Sequence, residues 1–444
     1  MRKVALKLKN ITNAFVRIEA EDLVLLLDPW LTDGIYDGGW MNYPPVKNPT
    51  NALEGATHVF ISHVHEDHFD IDLLNSLDRS VRILIPKMFP NHRMKQRLKP
   101  MGFEVEEIPL GLPTEIGPDT RLSVVPPMNA RGLEFDTLPD IDVREVSVID
   151  TGLIVDHQSA KMVFLSDNMP YTPNDAGACL EQMKGCDLLS FGYNGAGSDY
   201  PICYNMDFDD KVAVSENMEL KRQSALDTFI SMVRPKALLP YSSEFVAAGP
   251  AALEFARFYE GRPWLDKKKI AARYQERHGI PAFPALEDDT LIITTNCITY
   301  QKGDTDVPGL ADVAQKTSEY QPVTYRDRPD TRELQDLIHR AADFFFAAVE
   351  KHRLNTDKLL KIHVIDLDIT YIFDLEALEL LDQDEPIRSF VRCSISSQYL
   401  AEILEEYTTW NSASLSFRLR WDRSPDEYDH HLYTSLNFLV SRKH

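Results

Sequence analysis

An α/β layered domain followed by a smaller α+β domain is the architecture this sequence predicts, and three observations carry it. Between residues 3 and 240, short apolar runs that end in polar loops alternate with short helical stretches. A polar, proline-containing stretch at residues 303–330 then breaks the pattern. Beyond it, an amphipathic helix and a new set of alternating segments begin. The predicted units are a domain at 1–305, a linker at 306–330 and a second domain at 331–444.

Taken in order, Val4, Leu6 and Leu8, then Ala14, Val16 and Ile18, alternate as two strands, with a turn at Ala20-Glu21-Asp22. Residues 23–27 are continuously apolar, as in a strand covered on both faces, and Pro29 stops the pairing. Residues 32–51 lack periodicity. Their aromatics Tyr36, Trp40 and Tyr43 fit either a functional flap or a loop folded onto the core. Val59-Phe60-Ile61 is a short buried strand. Helices are expected at 71–77, 94–98 and 220–233, and extended segments at 81–86, 103–108, 121–125, 187–191 and 237–240. Residues 146–155 and 161–165 read as a hairpin.

In the second domain, Leu334, Leu337, Ile338, Ala341, Ala342 and Phe345 mark one helix face, with Asp330 or Thr331 as N-cap. The alternation from His363 through Ile365, Leu367, Ile369 and Tyr371 to Phe373 predicts one long strand. Residues 390–395 predict a second strand, and Tyr399, Leu400, Ile403, Leu404 and Tyr407 a helix face. Leu415, Phe417, Leu419 and Trp421 predict a third strand. This order loosely resembles a sterol-carrier-protein-like fold, which in other proteins makes an apolar tunnel. Dimerisation or support is the plainer role.

The chain has 444 residues, with Lys+Arg 47 against Asp+Glu 69 and a net charge of -22. Such an acidic envelope repels nucleic acid and anionic membrane, yet a metal and a few basic side chains can still admit a small anion. Cys179, Cys186, Cys203, Cys297 and Cys393 form no CxxC pair, which fits free thiols in a reducing cytosol. The N-terminus lacks the apolar block of a signal peptide, and no apolar run reaches the roughly 18 residues of a membrane span. A cytoplasmic protein acting on a small molecule is expected, without nucleic-acid or membrane partners and with homodimerisation left open.

The chemistry sits in Ser62-His63-Val64-His65-Glu66-Asp67-His68, directly after the strand 59–61. Imidazole nitrogens and a carboxylate oxygen suit zinc, iron or manganese, and a strand end lets neighbouring side chains converge. A lone histidine is usually a packed core residue; four potential ligands at this spacing are hard to explain by packing. The motif HxHxDH resembles the signature of the metallo-β-lactamase superfamily. That resemblance implies an αββα sandwich with the metal at one edge of the two sheets. It implies His63 and His65 on one ion, Asp67 and His68 on a second, and Asp167, after Met162-Val163-Phe164-Leu165, bridging both.

It also implies two further histidines that this chain lacks. Pro126-Pro127-Met128-Asn129 stands where one is expected and Tyr241-Ser242-Ser243-Glu244 where the other is. His92 and His157 fall at a helix start and a hairpin turn, where histidine is usually only solvated. Glu244 is the candidate oxygen substitute. The remaining set is thin for two zinc ions, which want about four ligands each. It suffices for one metal with open positions or for two metals sharing carboxylates. Two histidines and a carboxylate with vacant positions is also how non-haem iron binds oxygen.

The stretch Cys186-Asp187-Leu188 through Gly195-Ala196-Gly197-Ser198-Asp199-Tyr200-Pro201, with Pro235 and Pro240-Tyr241, is similar to the catalytic region of the CMP-N-acetylneuraminate hydroxylase family. That likeness implies an iron oxygenase served by a Rieske cluster. The paired Cys-x-His elements of such a cluster are missing, and the residues before Asp28 leave no room for its domain. Electrons are therefore expected from a separate electron-transfer protein. Three readings stand. The favoured one is an iron oxygenase or hydroxylase with Asn168, Tyr193, Asn194 and Tyr241 lining its pocket. The second is a zinc or manganese hydrolase of a phosphoester, lactone or amide, in which Asp67 or Asp167 orients a metal-bound hydroxide. The third is a non-catalytic scaffold with a relic site.

Overall fold

The computed structural model describes residues 5–21, 23–88, 92–128, 149–158, 160–169, 177, 179–193, 200–242, 244–260, 262, 266–383 and 388–441, with the side chain of residue 92 excluded. Two sheets face each other in the first domain. One has eight strands in the order Ile298–Gln301, Thr290–Ile293, Leu6–Thr12, Phe15–Glu19, Val24–Leu27, His58–Phe60, Arg82–Pro86, Val105–Ile108. The other has six, in the order Leu238–Tyr241, Leu188–Gly192, Ala160–Phe164, Gly152–His157, Thr120–Val125, Pro113–Gly117.

Leu8, Val16, Leu25, Phe60 and Leu84 of the first sheet pack against Leu122, Leu153, Met162, Leu188 and Leu239 of the second, making one dry inter-sheet core. Helices Ile71–Ser76 and His92–Leu98 cover the outer face of the first sheet with Leu73, Leu74, Met94 and Leu98. Helices Phe208–Val233 and Lys267–His278 cover the second with Phe229, Ile230, Ile270 and Tyr274. The result is the αββα sandwich. Its central strands read as unbroken apolar runs because both of their faces are covered.

Parallel pairing makes Val24–Leu27 and His58–Phe60 end at the same edge, as Ala160–Phe164 and Leu238–Tyr241 do within the other sheet. Loops leaving those carboxyl ends meet, and ligand sites in α/β sheets form at such edges.

The second domain is a five-stranded sheet in the order Glu379–Leu381, Ile369–Asp374, Leu359–Val364, Phe390–Ile395, Arg420–Ser424, packed by helix Thr331–His352. Asp330 is the N-cap, accepting from Glu333 N at 2.8 Å. The space under the helix is filled by Phe345, Val349, Leu360, Ile362 and Phe373.

Several expectations change. The alternation from His363 to Phe373 is two strands of a hairpin, Leu359–Val364 and Ile369–Asp374. Asp366 there leaves the ladder to bond Ser397, and Asp368 takes φ 53°, so turn chemistry overrides the apolar period. The third strand begins only at Arg420, because Thr409 caps a helix Trp410–Leu415 before it. Residues 306–330 do not form a bare linker. They contain helix Leu310–Thr317, which buries Val313 and Ala314. Residues 32–51 are no free flap: Tyr36, Trp40 and Tyr43 are buried, and Trp40–Asn42 pairs with Phe245–Ala247.

These aromatics share one continuous apolar cluster with the second domain, from Trp40, Phe245 and Phe255 to Leu334, Phe345 and Trp421. All five cysteines are free thiols. Among the described residues, no helix is long and apolar enough to cross a membrane.

Candidate metal centre

The loop after His58–Phe60 turns tightly, with His68 N and Phe69 N both bonding His65 O, at 3.0 and 2.7 Å. This fold-back brings His63, His65, Asp67 and His68 to one place, as expected. His63 Nε2 lies 2.8 Å from His65 Nδ1. His68 Nε2 lies 3.2 Å from Asp67 Oδ2 and 3.3 Å from Asp167 Oδ2. Asp167, delivered by the end of Ala160–Phe164, also has Oδ2 3.9 Å from His63 Nε2, so it stands between the two halves.

The position left open by the missing middle histidine is filled by a residue that the sequence does not single out. Asp150 Oδ1 lies 3.6 Å from His63 Nε2, and His63, His65 and Asp150 form one group able to hold a cation. His63, His68 and Asp167 form another. Strand pairing explains the replacement. Gly152 is opposite Val125, so the chain two residues before Gly152 reaches the strand end where the histidine was expected. A carboxylate just before an apolar strand was the available signal, and nothing in its spacing distinguishes it from a turn residue.

The surrounding hydrogen bonds orient these ligands. Asp28 Oδ2 meets His68 Nδ1 at 3.1 Å, and Asp28 Oδ1 accepts from Ser62 N at 2.6 Å. Ser62 Oγ lies 2.9 Å from His63 Nδ1, and Thr151 Oγ1 donates to Ser62 O at 2.8 Å. Asp67 accepts from Tyr36 Oη at 2.5 Å and from Asn13 Nδ2 at 3.3 Å. Ser242 Oγ donates to Asp167 Oδ1 at 3.1 Å. Fixing the far side of each ligand in this way sets both tautomer and ring orientation. Six residues around the centre hold positive φ without being glycine: Asn13, Asp28, Tyr36, Asp37, Ser166 and Ser242. Such strain persists where surrounding contacts over-determine it, and it gathers at functional sites.

The electrostatics call for a cation. Burial opposes charge on His68, yet Asp67, Asp167 and Asp28 outweigh it and raise its pKa well above the ordinary value. Burial also disfavours charge on Asp67, but His68 beside it holds the carboxyl far below the usual range. Burial, then His68 and His65, push His63 well down, leaving a neutral imidazole with a lone pair to give. His68 Nε2 is buried and makes no hydrogen bond, although two carboxylate oxygens flank it. Two carboxylate oxygens converging on this imidazole nitrogen favour positive charge there, either a proton on the ring or a metal ion in the proton's place.

The other expected residues go elsewhere. Glu244 is not part of the centre: its buried carboxylate pairs with Lys267 Nζ at 2.5 Å. The Asn168 amide is taken up by backbone, accepting from Met128 N at 2.6 Å and donating to Pro126 O at 2.9 Å. Tyr193 is buried beside Glu244. Tyr241 accepts from Ser166 N at 2.7 Å and so supports the loop that carries Asp167. His157 is buried at the far end of the strand that Asp150 precedes. Asn194, the glycine-rich stretch after it and the His92 side chain lie outside the described residues.

A histidine and carboxylate cluster at one edge of an αββα sandwich defines a metal-binding domain of the metallo-β-lactamase kind. Residues 24–226 match the model of the Beta-lactamase superfamily domain, and that part of the chain carries this domain. The chain is 24% identical over 250 residues to the cytidine monophosphate-N-acetylneuraminic acid hydroxylase of Asterias rubens, covering 54% of this chain and 35% of that protein. Over 52 residues it is 44% identical to a metal-dependent hydrolase of Cereibacter sphaeroides, covering 12% of this chain and 20% of that one. It is similar to the crystal structure of CmlA, a diiron β-hydroxylase from Streptomyces venezuelae, with TM-score 0.40, 17% identity, and 64% and 52% of the two chains covered. The chain thus spans little more than a third of the length of the first of these relatives.

Proposed function

We propose that this chain is an iron-dependent oxygenase of a small molecule, with His63, His65 and Asp150 on one iron, Asp67 and His68 on a second, and Asp167 between them. The observation that supports it is Asp150. A carboxylate beside two histidines matches the donor set of oxygen-activating non-haem iron, a set that catalytic zinc also accepts. Iron in such a set activates dioxygen, and with two electrons and two protons R–H and O2 become R–OH and water. Residues 1–444 carry no Cys-x-His pair, so the two electrons would be supplied by a donor outside them, in another domain or a separate electron-transfer protein. The similarity to the hydroxylases covers the catalytic half only, and their sialic-acid substrate is not carried over.

The chain's own residues do the positioning. Asp28 and Ser62 hold the imidazoles of His68 and His63 from behind. The side chain of Asp167, 40% exposed, and that of Asp150, 19% exposed, give the centre its open side, where a substrate would approach. Five free thiols suit work in a reducing cytosol.

A second reading, a zinc or manganese hydrolase, is favoured by the short stretch shared with a metal-dependent hydrolase. Metal analysis and an optical spectrum of the purified protein separate the two. Iron with a charge-transfer or oxo-bridge band supports oxygenation. Zinc together with turnover of a phosphodiester supports hydrolysis. Full metal content in both Asp150→Ala and Asp167→Ala would remove the basis of either.

A further inference from the structure

The second domain reaches the metal centre through one short turn. Backbone φ is 86° at Gly34, 51° at Tyr36, 56° at Asp37 and 87° at Gly38. Two successive L-residues in this region cost on the order of 1 kcal/mol each, so their neighbours must hold them there. The holding group is the buried Asp37. Its carboxylate accepts from Tyr325 Oη at 2.8 Å and from the hydroxyls of Tyr399 and Thr408, and its carbonyl accepts from Val323 N at 2.9 Å. All four partners lie beyond residue 306. Trp40 Nε1 donates to Leu415 O at 2.7 Å on the same side. The adjacent Tyr36 turns towards the centre, donating its hydroxyl to Asp67 Oδ1 at 2.5 Å, while its backbone N–H donates to Glu66 Oε2 at 2.6 Å.

We propose that Tyr36 is a positioning residue for the half of the centre formed by Asp67, His68 and Asp167, and that the second domain sets it through Asp37. This rests on the metal-centre reading above. A hydroxyl fixed on Oδ1 stops the Asp67 carboxylate from rotating and keeps Oδ2 turned towards His68 Nε2, 3.2 Å away. The phenol is suited to that task. An uncharged phenol is a hydrogen-bond donor throughout the neutral pH range. The contacts around Asp37 make the second domain part of the centre's framework.

The test is cobalt(II) titration of the metal-free, full-length protein, followed by visible absorption and calorimetry. Tyr36→Phe should weaken one of the binding events about 10–100-fold and alter the cobalt band, with the circular-dichroism spectrum unchanged. Asp37→Asn should move the same event in the same direction without touching any ligand. The milder Tyr399→Phe should do so in part, and it serves if Asp37→Asn does not fold. Wild-type cobalt affinity in Tyr36→Phe overturns the positioning role. A lowered melting temperature in Asp37→Asn and Tyr399→Phe with unchanged cobalt binding overturns the role of the second domain. A wild-type protein that takes up no cobalt overturns the metal-centre reading itself and this inference with it.

Discussion

Two carboxylates on neighbouring loops have opposite surroundings and should behave oppositely when removed. Asp150 Oδ1 faces the His63 imidazole in a group that could hold a cation, so Asp150→Ala should release metal and leave the fold intact, read by metal content and circular dichroism. Glu244 faces the Lys267 ammonium in a buried pair, 4% and 6% exposed. Glu244→Ala would strand that charge and should cost about 3–5 kcal/mol in a denaturant titration, with metal content unchanged. The sequence offered Glu244 as an oxygen ligand and passed over Asp150, although both are acidic residues near strand ends. His63, His65, Asp67 and His68 were legible because their spacing along the chain already matches a ligand set, and Asp167 through the superfamily resemblance those four residues carry. Asp150 was not, because its neighbours come from a loop almost ninety positions earlier.

At the scale of elements, strands and helices with a single apolar face were readable, while turns made by specific hydrogen bonds were not. The segment from His363 to Phe373 keeps a period of two across a hairpin, because the turn at Asp366–Asp368 has the length to preserve phase. The junction between the domains depends on one small residue. A Cβ on Gly39 would sit 2.5 Å from Ser416 Cα and 2.7 Å from Ser416 Cβ. Gly39→Ala should therefore force the contact apart and cost about 1–3 kcal/mol of overpacking, measured as a lowered urea midpoint.

For the whole molecule, the boundary near residue 305 is a boundary in sequence more than in packing. Trp40, Phe245 and Phe255 share their cluster with the second domain. A chain ending at residue 305 should expose them and bind a hydrophobic dye or aggregate, whereas two independent domains would leave it soluble and dye-free. Acid should act on the second domain by a distinct route. The hydrogen bonds that Arg388 gives Asp374 hold its carboxyl below the usual range. The unfolded chain therefore takes up that proton first as the pH falls. The stabilisation is complete above the unfolded value of about 3.9 and is lost as the pH drops through the lower folded value. Asp374→Asn should accordingly lower unfolding free energy at neutral pH and much less near pH 3.

By itself the sequence determined the layered α/β class and the grouping of His63, His65, Asp67 and His68 at one strand end, because periodicity and local spacing are properties of neighbours along the chain; the sandwich and Asp167 came through the resemblance those residues carry. Only the tertiary structure decided that Asp150 lies with His63 and His65, that Glu244 belongs to Lys267, and that Tyr36 and Asp37 link residues beyond 306 to Asp67. Those roles depend on which distant charge or hydroxyl a side chain meets in a low-dielectric interior, and that is set by strand pairing and packing between segments far apart in sequence.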